Sequence, residues 1–327
     1  MNVLRPLLAL APVLCFLGAL VLLDSYKLVR LRVVVGVVFA GMLVAGVAYW
    51  INGALLARID FNVYTRYLSP VIEELLKALV IFALMRAHRI GFLVDAAIFG
   101  FAVGTGFAVI ENLNYLAIAP DARLGTWIVR GFGTAVMHGG ATAIFAVASV
   151  ALVGRPYAYL PGFLLAVVLH SAFNHFFFSP FASTVGIAFV LPLLLGAVFK
   201  RSETAVGAWL GRGFDADAEM LELINSGRLS DSPVGRYLHT LKDRFQGLVI
   251  ADLLAYLRLY TELALRAKGL LLMRENGFDV PIDEPTKEKF AELRYLEKSV
   301  GRTGLLAIQP MLHMSHKDLW QLYMLGK

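Results

Sequence analysis

The chain has 327 residues, 58% of them hydrophobic, with a mean hydropathy of +0.69 and a formal net charge of +6. A soluble globular domain is nearer half apolar, so the excess is expected in lipid. The whole net charge falls within positions 1–200 and the remainder is balanced, which excludes a basic nucleic-acid-binding surface on the polar part of the chain.

Apolar runs at 6–23, 33–57, 67–86, 92–118, 126–152, 158–178 and 181–199 are each long enough to cross about 30 Å of hydrocarbon. They predict an all-α, polytopic membrane helix bundle with about seven transmembrane helices over 1–200. A small helical cytoplasmic domain over 201–327 follows. The first run comes after Arg5, but Asp24-Ser25-Tyr26-Lys27 offers no small-x-small cleavage site, so an uncleaved helix is expected rather than a signal peptide. Cys15, within it, is the single cysteine, and no intramolecular disulfide is available. Of the Lys and Arg residues in the loops, eight fall on one side and four on the other. The positive-inside rule then places the N-terminus outside and the C-terminal domain in the cytoplasm.

The polar residues inside the runs carry the information, because an ionisable group at membrane depth is costly and marks function by default. In the third run, Ser69-Pro70-Val71-Ile72-Glu73-Glu74-Leu75-Leu76-Lys77 sets two adjacent carboxylates near the outer end, with Glu73 and Lys77 spaced as i, i+4 partners. Such a pair of carboxylates beside an ammonium suits general acid–base work on water. A purely structural ion pair between Glu73 and Lys77 would leave Glu74 unexplained.

The fourth run combines Gly100 with Gly104, and Ala102 with Gly106, at four-residue spacings that let another helix approach closely. It ends on Glu111, Asn112 and Tyr115, at the depth of Glu73 and Glu74. In the fifth, Arg130, Thr134, His138 and Thr142 recur every four residues as a polar stripe, and the sixth carries His170 and Asn174, again i, i+4. Each histidine alone reads more readily as a satisfied packing residue. Imposing the topology brings Glu73, Glu74, Glu111, His138 and His170 to one slab of the membrane. There a carboxylate can activate water while imidazole N–H and Asn amide donors stabilise an oxyanion.

These residues resemble the PrsW-type intramembrane proteases, relatives of the CAAX-processing endopeptidases in the glutamate intramembrane protease superfamily. Glu73-Glu74-Leu75-Leu76-Lys77 is similar to their E-E-x-x-K signature. Phe107-Ala108-Val109-Ile110-Glu111-Asn112-Leu113-Asn114-Tyr115 is similar to F-A-x-x-E-N-x-x-Y, and His138 and His170-x-x-x-Asn174 fall where later histidine motifs are expected. The resemblance covers roughly positions 65–180.

What the resemblance implies is a protease of a bacterial cytoplasmic membrane. It would cut a single-pass membrane protein, anti-sigma-factor-like, near its extracytoplasmic boundary in regulated proteolysis. Either Glu73 or Glu74 would activate the water, with Glu111 as a second acidic group. His170 and Asn174 would hold the oxyanion, and His138 would assist or orient Glu111. Lys77, Asn112, Tyr115 and Arg130 would support them. No cofactor is expected under a glutamate mechanism, since no H-E-x-x-H helix is present. The zinc alternative would use His138, His170 and Glu74 as three ligands with an open fourth position. A proton-coupled transporter or channel using the same groups as a relay is the competing class, weakened by the lack of a half-to-half repeat. A scaffold or sensor would instead match its charges in pairs.

Beyond residue 200 the segments become charged and amphipathic, with a helix near 247–273 and interruptions near Pro233, Gly277 to Pro285 and Pro310. This domain could regulate, form a homo-oligomer or dock a partner. The sequence does not choose among these.

Overall fold

The computed structural model describes residues 3–242, 244–278 and 280–312. The described residues are helical with no strand, and they divide into two compact units, one ending at Glu203 and the other beginning at Thr204.

The first unit contains α1 (Leu4–Leu22), α2 (Leu31–Leu56), α3 (Ser69–Arg86), α4 (Leu93–Ile118), α5 (Ala135–Ala151), α6 (Leu160–His175) and the start of α7 (Pro180–Asn225). Two helices have lead-ins, each ending in a π-helical turn. Phe61–Val63 and the turn Tyr64–Leu68 run into α3, and Leu124–Ile128 with the turn Val129–Thr134 runs into α5. Each π turn inserts a residue into the helical register just ahead of a helix that carries site residues, a placement common at functional sites.

Among the described residues, five helices are long and apolar enough to cross a membrane, and the chain is an integral membrane protein. They are α1, α2, α4, α5 with its lead-in, and α7. The third and sixth expected spans fall short for different reasons. α3 carries Glu73, Glu74, Lys77 and Arg86 in 18 residues, and α6 has only 16 residues, about 24 Å at 1.5 Å per residue.

α4 is the central helix. It is apolar on every side and buried over nearly its whole length, as a helix hydrophobic all round must be. Its glycines set the distances to its neighbours. Gly100 and Gly104 face α5, and a Cβ on Gly104 would overlap the His138 carbonyl oxygen and the Cα of Gly139. Gly106 faces the Val38 carbonyl of α2, while Gly41 of α2 meets the Val103 carbonyl in return. At the N-terminus of α4, the buried Asp95 carboxylate accepts from Gly91 N and Phe92 N, both at 2.7 Å, and satisfies donors the helix cannot.

The Gly104 contact involves backbone on both sides and cannot relax by a rotamer change. Gly104→Ala is therefore expected to cost about 1–3 kcal/mol of stability and to displace His138. Gly36→Ala in α2, where a Cβ meets nothing within 4 Å, is expected to stay within about 1 kcal/mol. Thermal unfolding of the two variants in the same detergent checks this.

In the second unit, the long α7 ends at Asn225 and is followed by α8 (Pro233–Thr240), α9 (Gly247–Glu275) and α10 (Glu284–Ile308). α9 buries Leu253, Leu257, Leu263 and Ala267 against Leu293, Leu296 and Val300 of α10. Pro233 opens α8, Asp283 caps α10 through Thr286 N at 3.3 Å, and α10 kinks at Gly301 with φ +67°. A short 3-10 turn, Gln309–Met311, ends the described chain, so the last part of the expected 201–327 domain lies outside the described residues. The helix expected to end near 199 continues to Asn225: no Pro follows Phe199 within it, and Gly207, Gly211 and Gly213 are carried inside the helix.

Candidate active site

The residues singled out in the sequence meet at one end of α3, α4, α5 and α6. Glu73 and Glu74 lie in the second turn of α3, Glu111 near the end of α4, His138 in the first turn of α5, and His170 late in α6. Antiparallel neighbours bring an early residue of one helix level with a late residue of the next.

Glu73 and Glu74 part company here. Consecutive helical residues project about 100° apart, so only one of an adjacent pair can face a given cavity. Glu73 lines a cavity of about 550 Å³ together with Glu111, His138, His170, Asn174 and Arg130. Its Oε1 accepts from Ser69 Oγ at 2.5 Å and Asn52 Nδ2 at 3.1 Å, while Oε2 stands 3.9 Å from His170 Nε2. Glu74 is turned away, its side chain 1% exposed, with Oε1 between Lys77 Nζ at 2.5 Å and His170 Nδ1 at 2.8 Å. Lys77 therefore pairs with Glu74 at i, i+3, and the expected Glu73–Lys77 pair is replaced by Ser69–Glu73.

The hydrogen-bond inventory fixes the tautomers. An ionised Glu74 only accepts, so His170 donates from Nδ1 and, as neutral imidazole, turns the Nε2 lone pair towards Glu73. Lys77 only donates, so His138 Nδ1 accepts from it at 3.1 Å and Nε2–H is given to Glu111 Oε2 at 2.9 Å. The two imidazoles meet edge to face with centroids 4.7 Å apart.

Glu111 is held between His138 and the Arg130 guanidinium. Arg130 Nη2 lies 3.2 Å from Glu111 Oε1 as an ion pair without hydrogen-bond alignment. Arg130 Nε donates to Asn112 Oδ1 at 2.8 Å, and its Cζ sits 3.5 Å over the Tyr115 ring. Asn112 faces away from the cavity and donates to the Ala9 carbonyl of α1 at 2.7 Å. It belongs to the packing between helices. Asn174 Nδ2 donates to the Thr65 carbonyl at 2.9 Å, which leaves its second N–H for the cavity. Thr134 continues the polar stripe into the cavity, whereas Thr142 bonds back to the His138 carbonyl at 3.0 Å.

Two site residues belong to no motif. Asn52, in the last two turns of α2, and Tyr64, in the π turn before α3, reach Glu73 in series, since the Tyr64 hydroxyl donates to Asn52 Oδ1. The sequence signal for Asn52 is a lone amide in an otherwise apolar run, which is weak.

Among the described residues, the set that can converge on a cation is Glu73, His138 and His170, each offering one ligand atom within 4.8 Å of the others. Glu73 thus takes the place that the zinc alternative gave to Glu74.

No curated protein and no solved structure matches the chain. The family model described as PrsW family intramembrane metalloprotease matches residues 29–197, just over half the chain and every helix that lines the cavity. With this match over the helices that carry Glu73, Glu111, His138 and His170, the chain belongs to the PrsW family of intramembrane proteases.

Proposed function

We propose that the chain is an endopeptidase that hydrolyses a peptide bond of a single-pass membrane protein, using a water activated by Glu73. The observation that carries this reading is the gap between Glu73 Oε2 and His170 Nε2, two acceptors 3.9 Å apart at the wall of the cavity. A water between them gives one proton to each and turns a lone pair outwards. Glu73 takes the proton as the oxygen attacks the carbonyl carbon, and returns it to the amine nitrogen when the C–N bond breaks. His170, fixed at Nδ1 by Glu74, accepts from the water at Nε2 and so orients its lone pair before attack. The free N–H of Asn174 donates to the oxyanion that forms. His138, Glu111 and Arg130 form the ionic wall behind this space.

The family description implies a metal, and the residues fit one in part. Glu73 and His170 offer their atoms as they stand, and a Glu/His/His set with an open position suits zinc. His138 would have to give up Lys77 or Glu111 first. An ion bound by these three would polarise the scissile carbonyl and acidify its own water. The glutamate reading requires no such exchange, so activity is expected to survive 1,10-phenanthroline. Loss of activity with the chelator and recovery with added zinc would establish the metal reading.

The seven-span arrangement with the N-terminus outside and the 201–327 domain in the cytoplasm rests on loop charge. It places the cavity in the outer half of the bilayer, near the extracytoplasmic boundary of a substrate helix, in keeping with a role in regulated proteolysis. The function is tested by comparing new protein N-termini in membranes of cells expressing the native chain or Glu73→Gln. Fragments of a single-pass membrane protein are expected with the native chain alone. Matching profiles from two well-inserted proteins would move the reading to solute or proton flux.

A further inference from the structure

Glu73 reaches only one of its oxygens into the reacting space, and the cause lies outside its own helix turn. Oε1 is tied by Ser69 Oγ at 2.5 Å and by Asn52 Nδ2 at 3.1 Å, and Oε2 is left facing His170 Nε2 and the cavity. The Asn52 amide has one orientation that satisfies both of its neighbours. Ionised Glu73 can only accept, so it takes the Nδ2–H, and Oδ1 is left for the Tyr64 hydroxyl, which has a proton to give. The chain of donors therefore runs in one direction, from Tyr64 to Asn52 to Glu73.

Tyr64 is 1% exposed and sits in the π turn ahead of α3, where the inserted residue lets its ring lie beside the end of α2. Both residues border the same cavity as Glu73. A carboxylate on a two-bond stem has soft terminal torsion. Two donors on a single oxygen remove that freedom and fix which lone pairs meet the water.

We propose that Asn52 and Tyr64 are positioning residues for the reaction, a two-step relay that clamps Glu73 Oε1 so that Oε2 alone serves as the base. The proposal rests on the assignment of Glu73 as the group that activates water. It extends the site to α2 and to the lead-in of α3, segments that bring no ionisable group to the chemistry.

The probe is a quenched fluorescent peptide spanning the cut site identified by the N-terminus comparison, turned over by the purified full chain in detergent micelles. Asn52→Ala is expected to lower kcat about 10–100-fold, the range found for residues that orient a reacting group. KM should stay within about twofold, because the contact removed is to Glu73 and not to the substrate. Tyr64→Phe keeps the ring and removes the hydroxyl, and is expected to lower kcat about tenfold. Because Tyr64 acts through the Asn52 amide, the double variant should be no slower than Asn52→Ala alone. A role in packing alone would give independent, multiplying losses and changes in KM. Native kcat in Asn52→Ala, or losses that multiply in the double variant, overturns the relay. If Asn52→Ala does not fold, Tyr64→Phe decides alone, and native kcat there overturns it. Glu73→Gln is run beside them. If that variant turns over at the native rate, the assignment of Glu73 falls and takes the relay with it. If it is inactive while Asn52→Ala is native, the relay alone falls.

Discussion

Glu73→Gln is expected to lower turnover by about 10²–10⁴-fold, the usual worth of a positioned general base, or roughly 3–5 kcal/mol of barrier. The amide keeps the shape and can still meet Ser69 and Asn52, so the melting temperature should move little. Glu74→Gln should behave in the opposite order. Its carboxylate is buried between Lys77 and His170, and neutralising it leaves the Lys77 ammonium, 0% exposed, with no anionic partner. Removing one member of a buried ion pair costs about 3–5 kcal/mol. Glu74→Gln is thus expected to lose stability first, and activity because an amide no longer dictates which ring nitrogen of His170 carries the proton. Turnover and unfolding are measured on the same preparations. A stable, inactive Glu74→Gln beside an active Glu73→Gln would reverse the two assignments.

The sequence could name this pair but not separate its members, and the reason is geometric. Which of two adjacent side chains faces the cavity depends on how α3 is rotated about its axis, which α2 and α6 set. The same rotation decides that Lys77 meets Glu74 at i, i+3 rather than Glu73 at i, i+4. Motif residues scattered over α3 to α6 were legible because each motif fixes a depth, and depth is what brings antiparallel helices level. The glycine spacings in α4 were legible too, since a four-residue period of small residues has few other uses in an apolar helix.

Asn52 and Tyr64 escaped because their role depends on a meeting between α2 and the lead-in of α3. No local spacing records it. The π turns at Tyr64–Leu68 and Val129–Thr134 have no composition of their own, so a strict four-residue stripe from Arg130 to Thr142 crosses an inserted residue that the pattern does not reveal. The end of the seventh run was misjudged for a different reason. Charge reports the change of solvent around a helix, whereas the end of α7 at Asn225 comes just before Gly227, with φ +72°, and the two are separated by more than twenty residues.

Lys77 gives the clearest separation of stability from chemistry. Its ammonium sits between Glu74 Oε1 at 2.5 Å and His138 Nδ1 at 3.1 Å, with the Phe107 ring 4.8 Å away, and it lines no part of the cavity. Lys77→Met, of similar length, leaves Glu74 as a buried carboxylate whose remaining partner is His170. A loss of about 3–5 kcal/mol is expected, seen as lower melting temperature and yield. Adding Glu74→Gln removes the orphaned charge, and the double variant should recover most of that stability, because a buried pair replaced at both positions is often near neutral. Proteolysis should not return with it. A neutral amide can offer His170 Nδ1 either a donor or an acceptor and no longer dictates which ring nitrogen carries the proton, so the lone pair facing Glu73 is lost in part of the molecules. Turnover in the refolded double variant is therefore expected about 10–100-fold below native. If the double variant regained both stability and native turnover, Lys77 and Glu74 would be a structural pair alone, and the orientation of His170 would have to come from its packing against His138.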